Sequence, residues 1–449
     1  MLQELRAGKL IGTRRLKLAC GLTEFPREIF DLADTLEILD LSGNALSSLP
    51  DDLPRLRKLR ILFCSDNLFT EMPEVLGLCP QLSMVAFKAN RIRKVSARSL
   101  PGQLRWLILT NNQIEELPAE IGNCKLLQKL MLAGNRLRAL PVTLSACSRL
   151  ELLRIAANRL TAFPDLLLSL PRLSWLAYAG NPFCEEGELA ALENTPIASI
   201  GWDALQMQAR LGEGASGVIH QAWQRHGDDS RAVAVKMFKG EVTSDGLPRS
   251  EMAACISAGE HPNLISIWGK VKGHPAGIDG LVMPLIDPEF RNLAATPSLD
   301  SCTRDVYAGG VSFDLGAVLG IALGIASAAR HLHHRGIMHG DLYGHNILHA
   351  SRGRALLGDF GAASFIAPAA SNALTLQRLE VRAFGLLLEE LIERCEVLAE
   401  QSFILARLSG LKAACLDDEI ACRPLFEEIE RMLVELGALH QTRELDLSA

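Results

Sequence analysis

Three polar side chains near residue 340 have the types and spacing of a phosphoryl-transfer site. Asp341 is followed five positions later by Asn346, and a second aspartate, Asp359, stands directly before Phe360 and Gly361. Transfer of a phosphoryl group needs a base near the acceptor hydroxyl and oxygen ligands for Mg²⁺. One carboxylate for the base and an amide–carboxylate pair for the metal would meet both needs.

A glycine-rich segment lies upstream of these residues, in the order that such chemistry requires. Gly212, Gly214 and Gly217 stand in the stretch Leu211-Gly212-Glu213-Gly214-Ala215-Ser216-Gly217-Val218-Ile219, which is typical of a hairpin turn between two strands. Glycine lets backbone amides approach phosphate oxygens without obstruction by side chains. The segment is therefore a candidate phosphate-binding loop.

A lysine at the end of an apolar strand adds a cation to this set. Lys236 closes the run Ala232-Val233-Ala234-Val235-Lys236, where a buried charge needs a partner. Glu251, 15 residues further on, is the best candidate for that partner, and Glu241 and Glu260 are the alternatives.

With these motifs in this order, residues 203–435 resemble a protein kinase domain, an α+β fold of two lobes. The resemblance implies ATP and Mg²⁺ as cofactors, Asp341 as the base, Asn346 and Asp359 as metal ligands, and Lys236 at the α- and β-phosphates. It also implies an ATP pocket that includes Met283 as gatekeeper. The further residues of that pocket would be Leu211, Gly212, Gly214, Gly217, Ile219, Ala234, Glu251, Leu285 and Leu348.

The amino-terminal half repeats the pattern Leu-x-x-Leu-x-Leu-x-x-Asn-x-Leu. Repeats begin at Leu36, Leu59, Leu82, Leu104, Leu127, Leu150 and Leu173, a spacing of 22 or 23 residues, and a degenerate copy precedes them. The pattern matches the leucine-rich repeat over residues 13–195 and predicts an α/β solenoid, or horseshoe. Each repeat asparagine is expected to bond backbone groups where the chain turns, which would link neighbouring repeats in a ladder.

Residues between the core leucines are expected to face outward from the short strands, on the concave side of the solenoid. Several of them are apolar: Ile61, Phe63, Met84, Trp106, Ile108, Met131 and Trp175. An exposed apolar surface of this extent usually marks a binding site. We therefore expect a protein partner there, or docking of the chain's own kinase domain. The alternative is that these side chains only cover one another on the sheet.

Composition limits the remaining possibilities. Residues 1–200 carry 24 Lys/Arg and 21 Asp/Glu, and the rest of the chain has a net charge of −9, so nucleic acid is not an expected partner. Residues 315–329 carry no charge but are shorter than the ~20 residues that span a bilayer, which favours a buried helix. With no signal peptide at the amino terminus, and cysteines 79, 124 and 147 in equivalent core positions, a cytoplasmic location is expected.

The chain is thus divided, on sequence, into repeats at 13–195, a linker at 196–202, a kinase domain at 203–435 and a tail at 436–449. The order resembles that of soluble leucine-rich-repeat kinases, including bacterial ones, and implies a kinase that phosphorylates serine or threonine in proteins. Two other functions stay open: a small-molecule phosphotransferase of the aminoglycoside or choline type, and a kinase-like scaffold with little catalytic activity.

Three departures from the kinase pattern bear on this choice. Gly340 replaces an arginine that commonly binds a phosphorylated activation loop, and Tyr343 replaces a lysine near the base. The activation segment is also very short if Ala367-Pro368-Ala369 represents its end, and Glu380 then stands for a helix aspartate. These features predict a kinase that is constitutively assembled or is regulated through its repeats.

Overall fold

The computed structural model describes residues 1–227, 229–240, 242–367, 370–396, 398 and 401–448, which form two compact units. The first contains Met1–Leu173, Asn181–Phe183 and Val242–Asp245. The second contains Ser174–Gly180, Cys184–Glu241 and Gly246–Ala449.

The first unit is the leucine-rich-repeat solenoid that the sequence predicts. After helix α1 (Leu2–Arg6), its strands are β1 (Arg15–Lys17), β2 (Ile38–Asp40), β3 (Ile61–Phe63), β4 (Met84–Ala86), β5 (Trp106–Ile108), β6 (Lys129–Met131) and β7 (Leu152–Arg154). Consecutive strands pair in parallel without a register shift, so Leu39, Leu62, Val85, Leu107, Leu130 and Leu153 stand side by side. All six are buried and form the continuous core of the solenoid.

Short 3₁₀ helices, rather than α-helices, return the chain between strands. They span Arg27–Leu32, Leu53–Arg55, Glu74–Leu78, Ala97–Ser99, Ala119–Asn123, Val142–Ala146 and Asp165–Ser169. A proline precedes most of them, as Pro118 does before Ala119–Asn123. Its fixed φ suits the extended residue before the turn.

The repeat asparagines form the predicted ladder. In Asn112, Nδ2 donates to the carbonyls of Phe87 (2.8 Å) and Leu109 (3.0 Å), and Oδ1 accepts from the Ile92 amide (3.0 Å). Phe87 and Ile92 belong to the preceding repeat and Leu109 to its own, so each asparagine joins two repeats. These bonds satisfy backbone groups that the short strands leave unpaired.

The core cysteines of the solenoid behave as small apolar side chains. Cys79, Cys124 and Cys147 are buried and carry free thiols. Burial raises the pKa of each thiol to about 11, which keeps it protonated and unreactive at neutral pH.

The second unit begins with three elements, the last of which is an edge strand of its main sheet. These are β8 (Trp175–Ala177), α2 (Glu185–Asn194) and β9 (Ser199–Gly201). The main strands follow as β10 (Leu205–Glu213), β11 (Gly217–His226), β12 (Asp229–Phe238), β13 (Gly269–Lys272) and β14 (Gly280–Pro284), with helix α3 (Pro248–Ala258) between β12 and β13. The sheet order is β10-β11-β12-β14-β13-β9, antiparallel except for the β13–β9 pair.

Helices dominate the rest of this unit. They are α4 (Leu315–His334), α5 (Ala373–Ile392), α6 (Ser402–Cys415) and α7 (Phe426–Ser448). Short strands accompany them: β15 (Arg291–Asn292), β16 (Phe313–Asp314), β17 (Ile337–Met338), β18 (Ile347–His349), β19 (Ala355–Leu357), β20 (Ser364–Phe365) and β21 (Cys395–Glu396). The combination of a mixed sheet with a helical part is the two-lobed α+β fold that the sequence predicts.

Helix α4 contains the uncharged stretch noted in the sequence. Among the described residues it is the one helix long and apolar enough to cross a membrane, which is weak evidence for a span. Its apolar side chains are largely buried, and it contacts α7 and β19. The interior of a helical lobe accounts for this composition.

The predicted boundaries at residues 196–202 and 436–449 are wrong. Residues 199–201 form β9, an edge strand in which Ile200 pairs with Val271 and is buried beside Val282, so they are not a linker. Helix α7 continues through Ser448, so no separate tail begins at residue 436. A three-residue strand has too few positions to show an alternating pattern, and one buried isoleucine gives no periodic signal.

Candidate active site

The loop between β17 and β18, the catalytic loop, brings Asp341 and Asn346 together. Asn346 Nδ2 donates to Asp341 Oδ2 and to the Asp341 carbonyl, both at 2.9 Å. The loop starts after β17, and Asn346 stands just before β18, so two short strands determine the separation of these side chains. The carboxylate of Asp341 is therefore oriented by a neutral donor.

Asp359 lies at the turn that follows β19. It has φ of 55°, a left-handed conformation that aspartate tolerates better than most residues, and its Oδ1 accepts from the Gly361 amide at 3.1 Å. Next to it, Phe360 packs on His339, whose Nε2 lies 2.8 Å from the Gly358 carbonyl. The His339–Phe360 contact thus connects the catalytic loop with the segment that carries Asp359.

The structure contains an ion pair between Lys236 on β12 and Glu251 in the first turn of α3. Their side chains are 15% and 2% exposed, so water screens the pair little. Burial lowers the pKa of Lys236, but the carboxylates of Glu251 and Asp359 outweigh it and raise that pKa above its ordinary value. The lysine is therefore held in its charged form. Of the alternative partners, Glu241 lies outside the described residues, and Glu260 follows the helix.

The glycine-rich segment is the hairpin between β10 and β11. Gly214 N donates to Gly217 O at 2.9 Å and closes the turn. A Cβ at Gly217 would meet Met237 O at 2.5 Å, whereas at Gly212 and Gly214 it would meet no atom within 4 Å. Gly217 is required by close strand packing, and the other two glycines leave open space next to the backbone.

The apolar residues predicted for the ATP pocket fall into two groups. Ala234 on β12 pairs with Met283 on β14, and both are buried. Ile219 and Leu348 are half-buried, whereas Leu211 and Leu285 are 50% and 38% exposed. The two buried residues are part of the interior of the sheet. The other four side chains leave accessible apolar surface.

Glu380 on α5 supports the catalytic loop from beneath. Its Oε1 accepts from the Gly340 amide at 2.6 Å, and its Oε2 accepts from the His339 amide at 3.2 Å and lies 2.8 Å from His333 Nε2. Burial raises the pKa of Glu380, but the hydrogen bonds with His333 and the Gly340 amide outweigh it and bring that pKa below its ordinary value. The resemblance to kinases implies an aspartate at this helix position, and here Glu380 holds the loop.

The activation segment is short and partly buried. Ser364 and Phe365 form β20, which pairs with β17, and Ser364 is fully buried. Pro368 and Ala369, the proposed end of the segment, lie outside the described residues. Arg423 is buried and donates to the carbonyls of Asp417 (2.8 Å) and Arg378 (3.2 Å).

Trp175 is not exposed to a separate partner; of the two expected occupants, it contacts part of the chain's own predicted kinase domain. Trp175 is 1% exposed and stacks on Tyr343 of the catalytic loop, with ring centroids 4.0 Å apart and planes 7° from parallel. It lies in β8, part of the second compact unit. Its position in the repeat is the same as that of Trp106, so the sequence pattern could not separate the two.

The other predicted partner-binding residues lie on β3 to β6 of the first unit. Ile61 and Met84 are 3% and 4% exposed, because residues at this position stand directly beside one another in the sheet, and the expectation of exposure is wrong for them. The remaining side chains are half-buried: Phe63, Trp106, Ile108 and Met131. Trp106 Nε1 donates to Met131 Sδ at 3.4 Å, and Lys129 Nζ lies 4.4 Å from the Trp106 ring centroid.

Two supporting carboxylates were missed by sequence reasoning. Asp305 accepts from the His345 amide (2.9 Å) and lies 2.7 Å from His345 Nδ1, next to Asn346. Glu188 on α2 accepts from Ser250 Oγ, one residue before Glu251. Both connect segments distant in sequence, so neither had a local motif.

Comparison with known families agrees with this geometry. Residues 205–380 match the protein kinase domain, and residues 35–56 and 102–160 match leucine-rich repeats. The chain therefore has leucine-rich repeats followed by a protein kinase domain, as the sequence predicts.

Individual relatives resemble one part of the chain or the other. The kinase part is 27% identical over 163 residues to cyclin-dependent kinase 11B of Mus musculus and, at the same identity and length, to serine/threonine-protein kinase PITSLRE of Drosophila melanogaster. Each alignment covers 36% of this chain and 19% or 16% of the relative. Leucine-rich repeat and calponin homology domain-containing protein 1 of Mus musculus is 34% identical over 112 residues, or 24% of this chain and 16% of that protein. The chain thus spans less than a fifth of each of these three relatives.

Proposed function

We propose that the chain transfers the γ-phosphate of ATP to serine or threonine hydroxyls of proteins. The single observation that carries this proposal is the joint presence of the Asn346–Asp341 bond and the Lys236–Glu251 ion pair. The first holds a carboxylate in a fixed orientation within one loop, and the second keeps a buried lysine charged. A base and a cation held in this way are what phosphoryl transfer requires. The acceptor class is supported by the kinase relatives, one of which is named as a serine/threonine-protein kinase.

In this mechanism Asp341 would orient the acceptor hydroxyl and take its proton. Its carboxylate is held by Asn346, so a hydroxyl placed against it would meet a base in a fixed position. Lys236, kept charged by Glu251 and Asp359, would bind the α- and β-phosphates and offset the charge that develops during transfer. The open space at Gly212 and Gly214 would admit phosphate oxygens next to the backbone.

Asn346 and Asp359 fit a magnesium site. Asn346 uses only Nδ2 in its bonds to Asp341, so these bonds leave its amide oxygen for a ligand, and the Asp359 side chain is accessible to solvent. Oxygen donors from one amide and one carboxylate, with phosphate oxygens and water, are the ligands that Mg²⁺ takes in such sites. The ion would neutralise phosphate charge when bound.

For the first unit we propose that Phe63, Trp106, Ile108 and Met131 bind a protein partner. They are half-buried residues on β3, β5 and β6 of one sheet, and they leave apolar surface on the strand side of the solenoid. Trp106→Glu should abolish capture of that partner and leave phosphoryl transfer unchanged. We further propose a cytoplasmic location, which the free cysteines of the described residues support.

The proposal is tested by incubating full-length protein with γ-labelled ATP, Mg²⁺ and generic protein substrates, beside Asp341→Asn. Label on serine or threonine that falls by ~10³-fold in the variant is the expected result, since loss of a main catalytic group costs ~3–5 kcal/mol. Label on small-molecule acceptors alone would support a small-molecule phosphotransferase. Tight ATP binding without any transfer would support a scaffold.

A further inference from the structure

The strand β8 lies against the catalytic loop and the activation segment of the same compact unit. Trp175 stacks on Tyr343, two residues after Asp341, and its Nε1 donates to the Leu342 carbonyl at 3.1 Å. A buried indole N–H needs an acceptor, and here the acceptor is the backbone between Asp341 and Tyr343. One side chain therefore holds both the ring and the main chain of the loop.

The next aromatic residue after β8 holds the activation segment. The Tyr178 amide donates to Ser364 Oγ at 3.1 Å, and Tyr178 Oη donates to the Phe365 carbonyl at 3.1 Å. Tyr178 and Ser364 are both buried. The Ser364 hydroxyl is consequently engaged inside the unit rather than presented to another enzyme.

Gly340 explains how this strand can approach so closely. It has φ of 73°, and a Cβ there would meet the Leu176 carbonyl oxygen at 2.6 Å and the Ala362 carbonyl oxygen at 2.5 Å. Both are backbone atoms, so no side-chain movement would relieve the clash. The absence of an arginine at this position is therefore tied to the presence of β8.

We propose that Trp175 is a positioning residue for the base Asp341, acting through Leu342 and Tyr343. Residues 174–178 thereby hold the catalytic loop and activation segment in one arrangement without a phosphorylated residue in the segment. The functional kinase then begins at residue 174 instead of residue 203. This inference rests on the proposed phosphoryl transfer, but its structural part concerns the loop alone.

The experiment uses full-length protein with Trp175→Ala, Trp175→Phe and the control Trp223→Ala, which removes a tryptophan that is 41% exposed on β11 of the same unit. Misplacement of a catalytic group by about 1 Å can cost ~10²-fold in rate, so we expect kcat to fall ~10- to 100-fold in Trp175→Ala. The Michaelis constant for ATP should stay within about twofold, because Lys236 and Glu251 belong to other elements. Trp223→Ala should keep the kcat of the unaltered protein.

Trp175→Phe keeps an aromatic ring against Tyr343 and loses only the indole donor. It is therefore expected to fold and to show a smaller loss of kcat, ~3- to 10-fold. In Trp175→Ala combined with Tyr343→Ala, kcat should fall no more than about twofold below the worse single variant, since both changes remove the same contact. Independent, multiplied losses would overturn the role of Tyr343 in the proposal.

Hydrogen exchange of the amides at residues 341–347 gives a readout that does not need catalysis. These amides should exchange faster in both Trp175 variants, and their exchange should be unchanged in Trp223→Ala. Wild-type kcat and wild-type exchange in Trp175→Phe and Trp175→Ala would overturn the inference. If the unaltered protein transfers no phosphate but the Trp175 variants lose protection in this loop, the proposed function fails. The structural part of the inference, that Trp175 holds the loop, then stands.

Discussion

Ser250 Oγ donates a hydrogen bond of 2.7 Å to Glu188 Oε2, which joins helix α2 to the start of helix α3. The second oxygen of the same carboxylate accepts from the Gly180 amide at 2.6 Å. Glu188 is 6% exposed, so both bonds are shielded from water. Glu251, the partner of Lys236, is the next residue of α3. The position of α2 therefore influences where the Glu251 carboxylate lies.

Glu188→Ala should therefore weaken ATP binding. Loss of the carboxylate leaves Ser250 and the Gly180 amide without this acceptor and loosens α3, at a cost of about 1–2 kcal/mol. We expect the Michaelis constant for ATP to rise about 5- to 30-fold, measured in the kinase assay and by calorimetry. Glu186→Ala on the exposed side of α2 is the control; equal effects in both variants would contradict the role of Glu188.

The raised pKa of Glu390 predicts that the free energy of unfolding falls as pH rises. Burial and the nearby charge of Asp305 raise its pKa from 4.5 to about 7, despite the hydrogen bond from Tyr307 Oη at 3.1 Å. Between these two pKa values the folded protein holds a proton that the unfolded chain releases, so the free energy of unfolding falls as pH rises. Above pH 7 the loss is complete, about 3 kcal/mol.

The test is chemical denaturation of the unaltered protein and Glu390→Gln at pH 5 and pH 8. The variant carries no titrating group at this position, so its free energy of unfolding should change less between the two pH values, by up to about 3 kcal/mol. The same change in both proteins would show that Glu390 titrates near its ordinary pKa.

Glu380→Asp should impair the catalytic loop although aspartate is the residue that kinases commonly place there. The side chain would be one methylene shorter, and it could not reach the amides of His339 and Gly340 while also contacting His333. A buried unmade hydrogen bond costs about 1–3 kcal/mol, so the melting temperature and kcat should both fall. Glu389→Asp on the same helix is the control. A Glu380→Asp protein with the stability and kcat of that control would mean that the longer side chain is not needed.

Asn112→Ala should destabilise the solenoid locally. The change removes partners from the Phe87 and Leu109 carbonyls and the Ile92 amide, which lie in a buried part of the ladder. We expect a loss of about 1–3 kcal/mol, with faster hydrogen exchange confined to the repeats on either side. Asn123→Ala, at an exposed position in a 3₁₀ helix, should change stability by less than about 0.5 kcal/mol.

Features with a fixed sequence period were predictable. The core leucines and ladder asparagines recur every 22 or 23 residues, and each recurrence reports the same local environment. The close contacts of Asp341 with Asn346 and of Lys236 with Glu251 could also be anticipated, because their spacings fit a loop and a strand followed by a helix. Glu380 was assigned to a helix through the resemblance to kinases, and it lies on α5.

Contacts between distant segments were not predictable in the same way. Trp175 and Trp106 occupy the same repeat position, and only the structure shows that one is 1% exposed against Tyr343 and the other half-buried beside Met131. Glu188 and Ser250 are 62 residues apart, with no motif that relates them. Such pairs depend on how elements pack, which a single sequence does not encode as a local pattern.

The ion pair between Arg154 and Asp245 has a consequence for the order of events during synthesis. Both residues belong to the first compact unit, their side-chain atoms Nε and Oδ1 are 2.8 Å apart, and Arg154 is 1% exposed. They are 91 positions apart in the chain, so at ~5–20 residues per second the ribosome releases Asp245 roughly 5–20 s after Arg154. The seventh strand of the solenoid thus gains this partner only when much of the following sheet has left the ribosome, and a nascent chain arrested before residue 245 lacks it.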